Sequence, residues 1–159
     1  MRAAVLTVSD GVAAGVREDR SGDILAELLA EEGYDVERLV VADELDEIEE
    51  AIALLSGRAT LVLTTGGTGL APRDVTPDAT ESVIDRQAPG IAQAIRADAI
   101  AKTPHGLLTR GIAGIRGRTL IVNLPGSPGG CSDGFAVLRP ALRHALELIA
   151  DEPTEHRQT

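Results

Sequence analysis

Apolar residues along the chain fall into two alternating patterns. Residues 3–8, AAVLTV, are almost wholly apolar and stop at Ser9-Asp10-Gly11, which predicts a buried strand and its turn. From Ser21 the period changes. Ile24, Leu25, Leu28 and Leu29 recur at threes and fours and Gly33 closes the segment, the spacing of a helix with one buried face. Residues 34–42 return to a strand. Leu45, Ile48, Ile52 and Leu55 then mark a second helix with carboxylates on its other side. Residues 60–64, TLVLT, predict another buried strand. Thr76-Pro77 fits an N-cap followed by Pro at the first helical position, with the helix running to Arg86 and another opening at Pro89. Residues 111–118 predict a strand entering a tight turn, which a hairpin would satisfy, and TLIVNL at 119–124 is the last strong strand. Phe135, Leu138, Leu142, Ala145 and Ile149 set out a closing helix. Loops are expected at 11–19 and 103–110, and a frayed polar tail at 151–159.

Strands that are apolar throughout, alternating with helices, predict an α/β fold with a mostly parallel sheet covered on both faces. At 159 residues without repeat, linker or low-complexity segment, the chain reads as one domain over 1–150.

Composition narrows the function. The chain has no Trp, and Phe135 and Tyr34 are its only large aromatics, so no row of rings is available to stack bases. Twenty-five acidic side chains against 15 basic ones leave a net charge of −10, which disfavours nucleic acid and anionic membrane as partners. Any anion must be held locally, by backbone amides, a few arginines or a metal. The single cysteine, Cys131, cannot form an internal disulfide, and no apolar N-terminal stretch is long enough for a leader or a membrane span. The expected location is the cytoplasm.

In an open parallel sheet, ligands bind beyond the carboxyl ends of the strands. Four such ends carry unusual loops: Ser9-Asp10-Gly11, Ala42-Asp43-Glu44, residues 64–69 (TTGGTG) and residues 123–128 (NLPGSP). The glycine loop lacks the Gly-Lys-Ser/Thr of a P-loop. It also lacks the third glycine of a dinucleotide fingerprint, since position 72 is Pro72. Two readings of it stand: a backbone cradle for an anion, or a tight strand-to-helix turn. Asp74 lies between this loop and the next helix, where Thr76 is the better cap, so capping leaves the aspartate unexplained. Asp43 alone reads as a plain N-cap, Asp10 as a turn residue and Arg73 as a surface charge. His105 and His144 lack metal-ligand spacing, and Cys131 has no neighbouring His to activate it.

Taken together and in order, TVSD (7–10), DRSG (19–22), TTGGTG (64–69), RDVTPDAT (73–80), PG (89–90) and GIAGIRGRTLIVNLPGSP (111–128) resemble the molybdopterin-binding MogA/MoaB proteins and the gephyrin G domain. The resemblance covers almost the whole chain. It implies a three-layer α/β/α fold, commonly trimeric, and a molybdopterin adenylyltransferase that passes AMP from Mg-ATP to the terminal phosphate of molybdopterin, with pyrophosphate released. By that resemblance Asp43 and Asp74 are the catalytic aspartates and Mg²⁺ ligands. Ser9, Asp10, Thr65, Gly66, Gly67, Thr68, Gly69, Arg73, Thr109, Arg110, Asn123, Pro125, Gly126 and Ser127 would enclose the substrates. The product would pass to a molybdenum-insertion protein. The chain departs from the family in carrying Thr109 where serine is frequent, and Gly129-Gly130 where a lysine often follows PGSP. Two other functions compete: a molybdopterin-binding MoaB-like protein without catalysis, and a nucleotide hydrolase of the CinA type, from which RDVTPDAT points away.

Overall fold

The computed structural model describes residues 1–151. Its strands are β1 (Arg2–Val8), β2 (Asp35–Val41), β3 (Leu61–Thr65), β4 (Arg86–Gln87), β5 (Ala113–Arg116) and β6 (Thr119–Leu124). They form one six-stranded sheet in the order β2-β1-β3-β6-β5-β4. The first four run parallel, β5 is antiparallel to β6, and β4 is antiparallel to β5. The helices are α1 (Asp10–Ala13), α2 (Arg20–Glu31), α3 (Leu45–Ser56), α4 (Thr76–Val83), α5 (Pro89–Lys102) and α6 (Pro128–Ile149), with a 3₁₀ turn at Pro104–Leu108.

Because successive strand side chains point to opposite faces, each central strand feeds two cores. Ala3, Val5, Leu61, Leu63, Leu120 and Val122 pack with Leu25 and Leu29 of α2 and with Phe135, Leu138 and Leu142 of α6. Ala4, Leu6, Val62 and Ile121 pack on the other side with Ile48, Ile52 and Leu55 of α3 and Ala79 of α4. This is the three-layer arrangement that unbroken apolar strands demand. The expected hairpin forms as well: Arg116 pairs with Thr119 across Gly117-Arg118, and Gly117 has φ +57°.

Several local expectations are corrected. Thr76 is not the cap of α4 but its first residue; Val75 holds the cap position, and the buried Thr76 hydroxyl donates to Gly66 O at 2.9 Å. The helix stops at Val83 rather than Arg86. Asp85 N–H donates to Ile115 O and Ala88 N–H to Ala113 O, which draws residues 86–87 into the sheet edge as β4. The closing helix begins seven residues before Phe135, at Pro128, where the Ser127 hydroxyl accepts from Gly130 N–H. The segments 11–19 and 103–110 are not wholly loop, since α1 and the 3₁₀ turn occupy part of each. Of the expected polar tail, residues 152–159 lie outside the described residues.

Candidate active site

The loops after β1, β2, β3 and β6 share one rim because those strands are parallel. They surround a polar cleft of about 680 Å³. Of the residues expected to act, Ser9, Asp43, Thr65, Gly66, Gly67, Asp74 and Gly126 line it. The glycine loop needs its glycines for two reasons. Gly66 and Gly67 have φ of +96° and +68°, and a Cβ on Gly66 would overlap Val8 O while one on Gly67 would overlap the Thr76 hydroxyl. The loop is thus a tight strand-to-helix connection, and its bare backbone borders the cleft.

Asp43 is not the N-cap of α3. Glu44 occupies that position and makes no side-chain cap bond. Asp43 instead exchanges bonds with the turn after β1: its Oδ2 accepts from Asp10 N–H at 2.8 Å, and Asp10 Oδ1 accepts from Asp43 N–H at 3.0 Å. Arg73 braces this pair. Its guanidinium donates to both Asp10 oxygens at 2.7 and 3.0 Å and to Glu44 at 3.0 Å. The Arg73 bonds hold the Asp10 carboxyl below its ordinary range. Burial pushes the Asp43 carboxyl up; the Asp10 N–H opposes this, and the charges of Asp10 and Asp74 add to it. Asp74 in turn accepts from Ala71 N–H at 3.0 Å and lies against Gly69, where a Cβ would come within 2.8 Å of its Oδ2.

On the other side of the 125–128 loop is a second cavity of about 400 Å³, walled by α5, the 3₁₀ turn and the start of α6. Thr109, Asn123, Pro125 and Ser127 line this one. Asn123 spends its amide on the fold: it donates to the Thr64 and Thr80 hydroxyls at 3.0 Å each and accepts from Ile112 N–H. Thr109 Oγ1 accepts from Gly111 N–H at 3.2 Å. Asp10, Thr68, Gly69, Arg73 and Arg110 line neither cavity. Of the departures from the resembled pattern, only Gly130 has a local explanation. Gly130 lies so close to Pro125 that a Cβ would come within 2.5 Å of the ring, whereas Gly129 faces open space.

Sequence reasoning left out Thr7, Arg17, Asp19 and Ser21, all of which line the polar cleft. The signal was present in DRSG. Asp19 caps α2 through Gly22 N–H and also accepts from the Thr7 hydroxyl and from Arg38, both at 2.8 Å. The Ser21 hydroxyl donates to Gly126 O at 2.7 Å, tying α2 to the loop after β6. Cys131 is buried beside Thr65 and Pro125 O, and burial pushes its thiol up, so it stays protonated.

The carboxylates suit a hard cation. Asp43 and Asp74 border one cleft closely enough for the charge of one to raise the other. Among the described residues, no three or more His, Cys, Asp or Glu side chains could hold a metal unaided. Two carboxylates, with water and phosphate oxygens completing the shell, is how Mg²⁺ is usually held.

Residues 4–144 match the family described as "Probable molybdopterin binding domain". The molybdopterin adenylyltransferase of Helicobacter pylori strain 26695 is 39% identical over 152 residues, covering 91% of this chain and 85% of that protein. The molybdenum cofactor synthesis protein cinnamon of Drosophila melanogaster is 39% identical over 159 residues, 98% of this chain, which spans only about a quarter (26%) of the fly protein. The crystal structure of the molybdopterin biosynthesis enzyme MoaB from Thermus thermophilus superposes with a TM-score of 0.88 at 44% identity, over 96% of this chain and 98% of that one. The ordered loops, the paired aspartates and these likenesses agree: the chain belongs to the probable molybdopterin binding domain family.

Proposed function

We propose that this protein is a molybdopterin adenylyltransferase of molybdenum cofactor biosynthesis, transferring AMP from ATP to the terminal phosphate of molybdopterin and releasing pyrophosphate. One observation carries the reading. A polar cleft that Asp43, Asp74 and the glycine backbone border and a mainly apolar cavity are lined by alternate residues of the 125–128 loop, Gly126 and Pro128 on the first, Pro125 and Ser127 on the second. The polar cleft receives the nucleotide phosphates and the apolar cavity the flat pterin.

The attacking phosphate oxygen is already ionised, so no strong base is needed. The obstacle is anion meeting anion. Two unit charges about 4 Å apart repel by roughly 4 kcal/mol at an effective dielectric near 20, which is about three decades in rate. Asp43 and Asp74 would hold Mg²⁺, whose charge offsets that repulsion when the ion is bound. The glycine loop lets phosphate approach main chain. Asp10 and Arg73 keep Asp43 in place, while Ser21 and Thr65 fix Gly126 and Pro125, the partition between the substrates.

The same reading includes a cytoplasmic homotrimer that hands its product to a molybdenum-insertion protein. Exposed apolar residues on α5 and the 3₁₀ turn support self-association, and the fly relative's much longer chain supports coupling to a further unit. No helix among the described residues is long and apolar enough to cross a membrane. The test is pyrophosphate release from purified protein given molybdopterin and Mg-ATP, beside Asp74→Asn. The expected result is metal- and molybdopterin-dependent release, reduced at least about 100-fold in the variant. Tight molybdopterin binding without pyrophosphate would instead make the chain a carrier.

A further inference from the structure

Arg110 was expected to touch an anion, and its surroundings point elsewhere. Its Nε donates to Gly69 O at 3.1 Å and its Nη2 to Asp74 O at 2.6 Å. Nη1 and Nη2 also fork onto Asp78, at 3.3 and 2.8 Å. Four of the five guanidinium N–H donors are thus used inside the protein. The Arg110 backbone N–H adds a bond to Thr68 O at 2.7 Å. One residue therefore grips the 68–74 loop at its start, at Gly69 and at Asp74. The side chain lines neither cavity.

We infer that Arg110, anchored by Asp78, is a positioning residue: it fixes the 69–74 loop and so aims the Asp74 carboxylate into the polar cleft. The inference rests on the reading that Asp74 acts there. A bidentate Arg–carboxylate pair is a rigid fork, so the loop inherits a fixed distance from the helix α4 that carries Asp78. That helix is itself held by Thr76 through Gly66 O, so both ends of the segment between glycine loop and helix are pinned. Asp78 also neutralises the arginine, which lowers its value as a phosphate ligand. The Arg110 bond holds the Asp78 carboxyl below its ordinary range, in keeping with a formed pair.

The test is a double-mutant cycle on the full chain with Arg110→Gln, Asp78→Asn and both together. Arg110→Lys, which keeps the charge and loses the fork, replaces Arg110→Gln if that variant fails to fold. Three quantities are read: amide hydrogen exchange over 69–75, Mn²⁺ binding by calorimetry with an unreactive ATP analogue, and KM and kcat for pyrophosphate release. Each single variant is expected to speed exchange at least about tenfold and to weaken Mn²⁺ binding about tenfold, as loss of an outer-shell partner does. The double variant should add no more than about twofold, and KM for molybdopterin should stay within about twofold. An Asp78→Asn protein that matches wild type, beside an Arg110 variant that loses ATP affinity, would overturn the inference in favour of direct anion contact. Wild-type exchange in both single variants would overturn it too. If wild type releases no pyrophosphate, the adenylyl-transfer reading has failed, and the exchange arm still decides the role of Arg110.

Discussion

Asp43 meets two opposed demands. In the proposed role of cation ligand it would have to be ionised, yet burial and the neighbouring charges of Asp10 and Asp74 favour its neutral form. Its folded pKa lies above the ordinary 3.8. A carboxyl raised in this way contributes stability that is full below the unfolded value and is lost as pH rises through the folded one. Asp10 has the opposite sign: lowered first of all by Arg73, its contribution is present above 3.8 and is lost as pH falls through its folded value. On the proposed reading Mg²⁺ would bind the folded protein and restore what ionised Asp43 gives up. Thermal midpoints measured across the acid to neutral range should therefore converge with and without millimolar Mg²⁺ as pH falls below the Asp43 pKa. They should separate as pH rises through the Asp43 pKa, with the magnesium curve higher. In Asp43→Asn most of the gap should vanish. A gap of wild-type size in the variant would remove Asp43 from the cation site.

Helix α6 shows how far an element can be read from its own residues. It carries Pro140 in its interior at an exposed position. Proline there forfeits a helical hydrogen bond and crowds the preceding turn, a cost of about 3 kcal/mol against alanine. Stiffening of the unfolded chain returns up to about 1 kcal/mol. Pro140→Ala should thus stabilise the protein by about 2 kcal/mol, read as a higher urea midpoint at unchanged slope. An unmoved midpoint would show that the backbone absorbs the missing bond without strain. The apolar period located α2, α3, β1, β3 and β6 because their burial repeats along the chain. It missed the first turn of α6, since Pro128-Gly129-Gly130 are poor helix formers and the Ser127 cap starts the helix. It overran α4 because the pull of β5 on Asp85 is a tertiary bond. The site divides the same way. The strand-end loops that carry Asp43 and the glycines were legible, whereas Asp43 alone read as a plain N-cap and Asp74 drew its expected role from the resemblance. Asp19 and Ser21 stood within the DRSG motif, but their bonds to Thr7 and Gly126, 12 and 105 residues away, were not legible.

Over the whole molecule, one surface does not match a solvated helix. Helix α5 buries none of its 14 residues fully. A helix on the outside of a domain normally turns charge to the solvent. Here exposed Ala94, Ala97 and Ala101 repeat along one stripe, with Ile100 beside them, and Leu107 and Leu108 of the adjoining 3₁₀ turn are 67% and 48% exposed. With a net charge of −10, separate copies repel in general, so association needs a local apolar patch strong enough to offset that repulsion. The inner side of the same elements walls the second cavity through Ile95, Ala99 and His105. A neighbouring copy on the outer side would therefore brace a substrate wall. Leu107→Arg places a charge on the most exposed leucine of the patch and leaves the monomer core untouched. In sedimentation velocity the wild-type protein should run as a trimer and the variant as a monomer with the same circular dichroism. Its KM for molybdopterin should rise about tenfold, as loss of roughly 1.4 kcal/mol of binding would give, with KM for ATP changed less. A wild-type protein that sediments as a monomer would leave α5 as a wall without a brace. A monomeric variant with unchanged KM would separate assembly from catalysis.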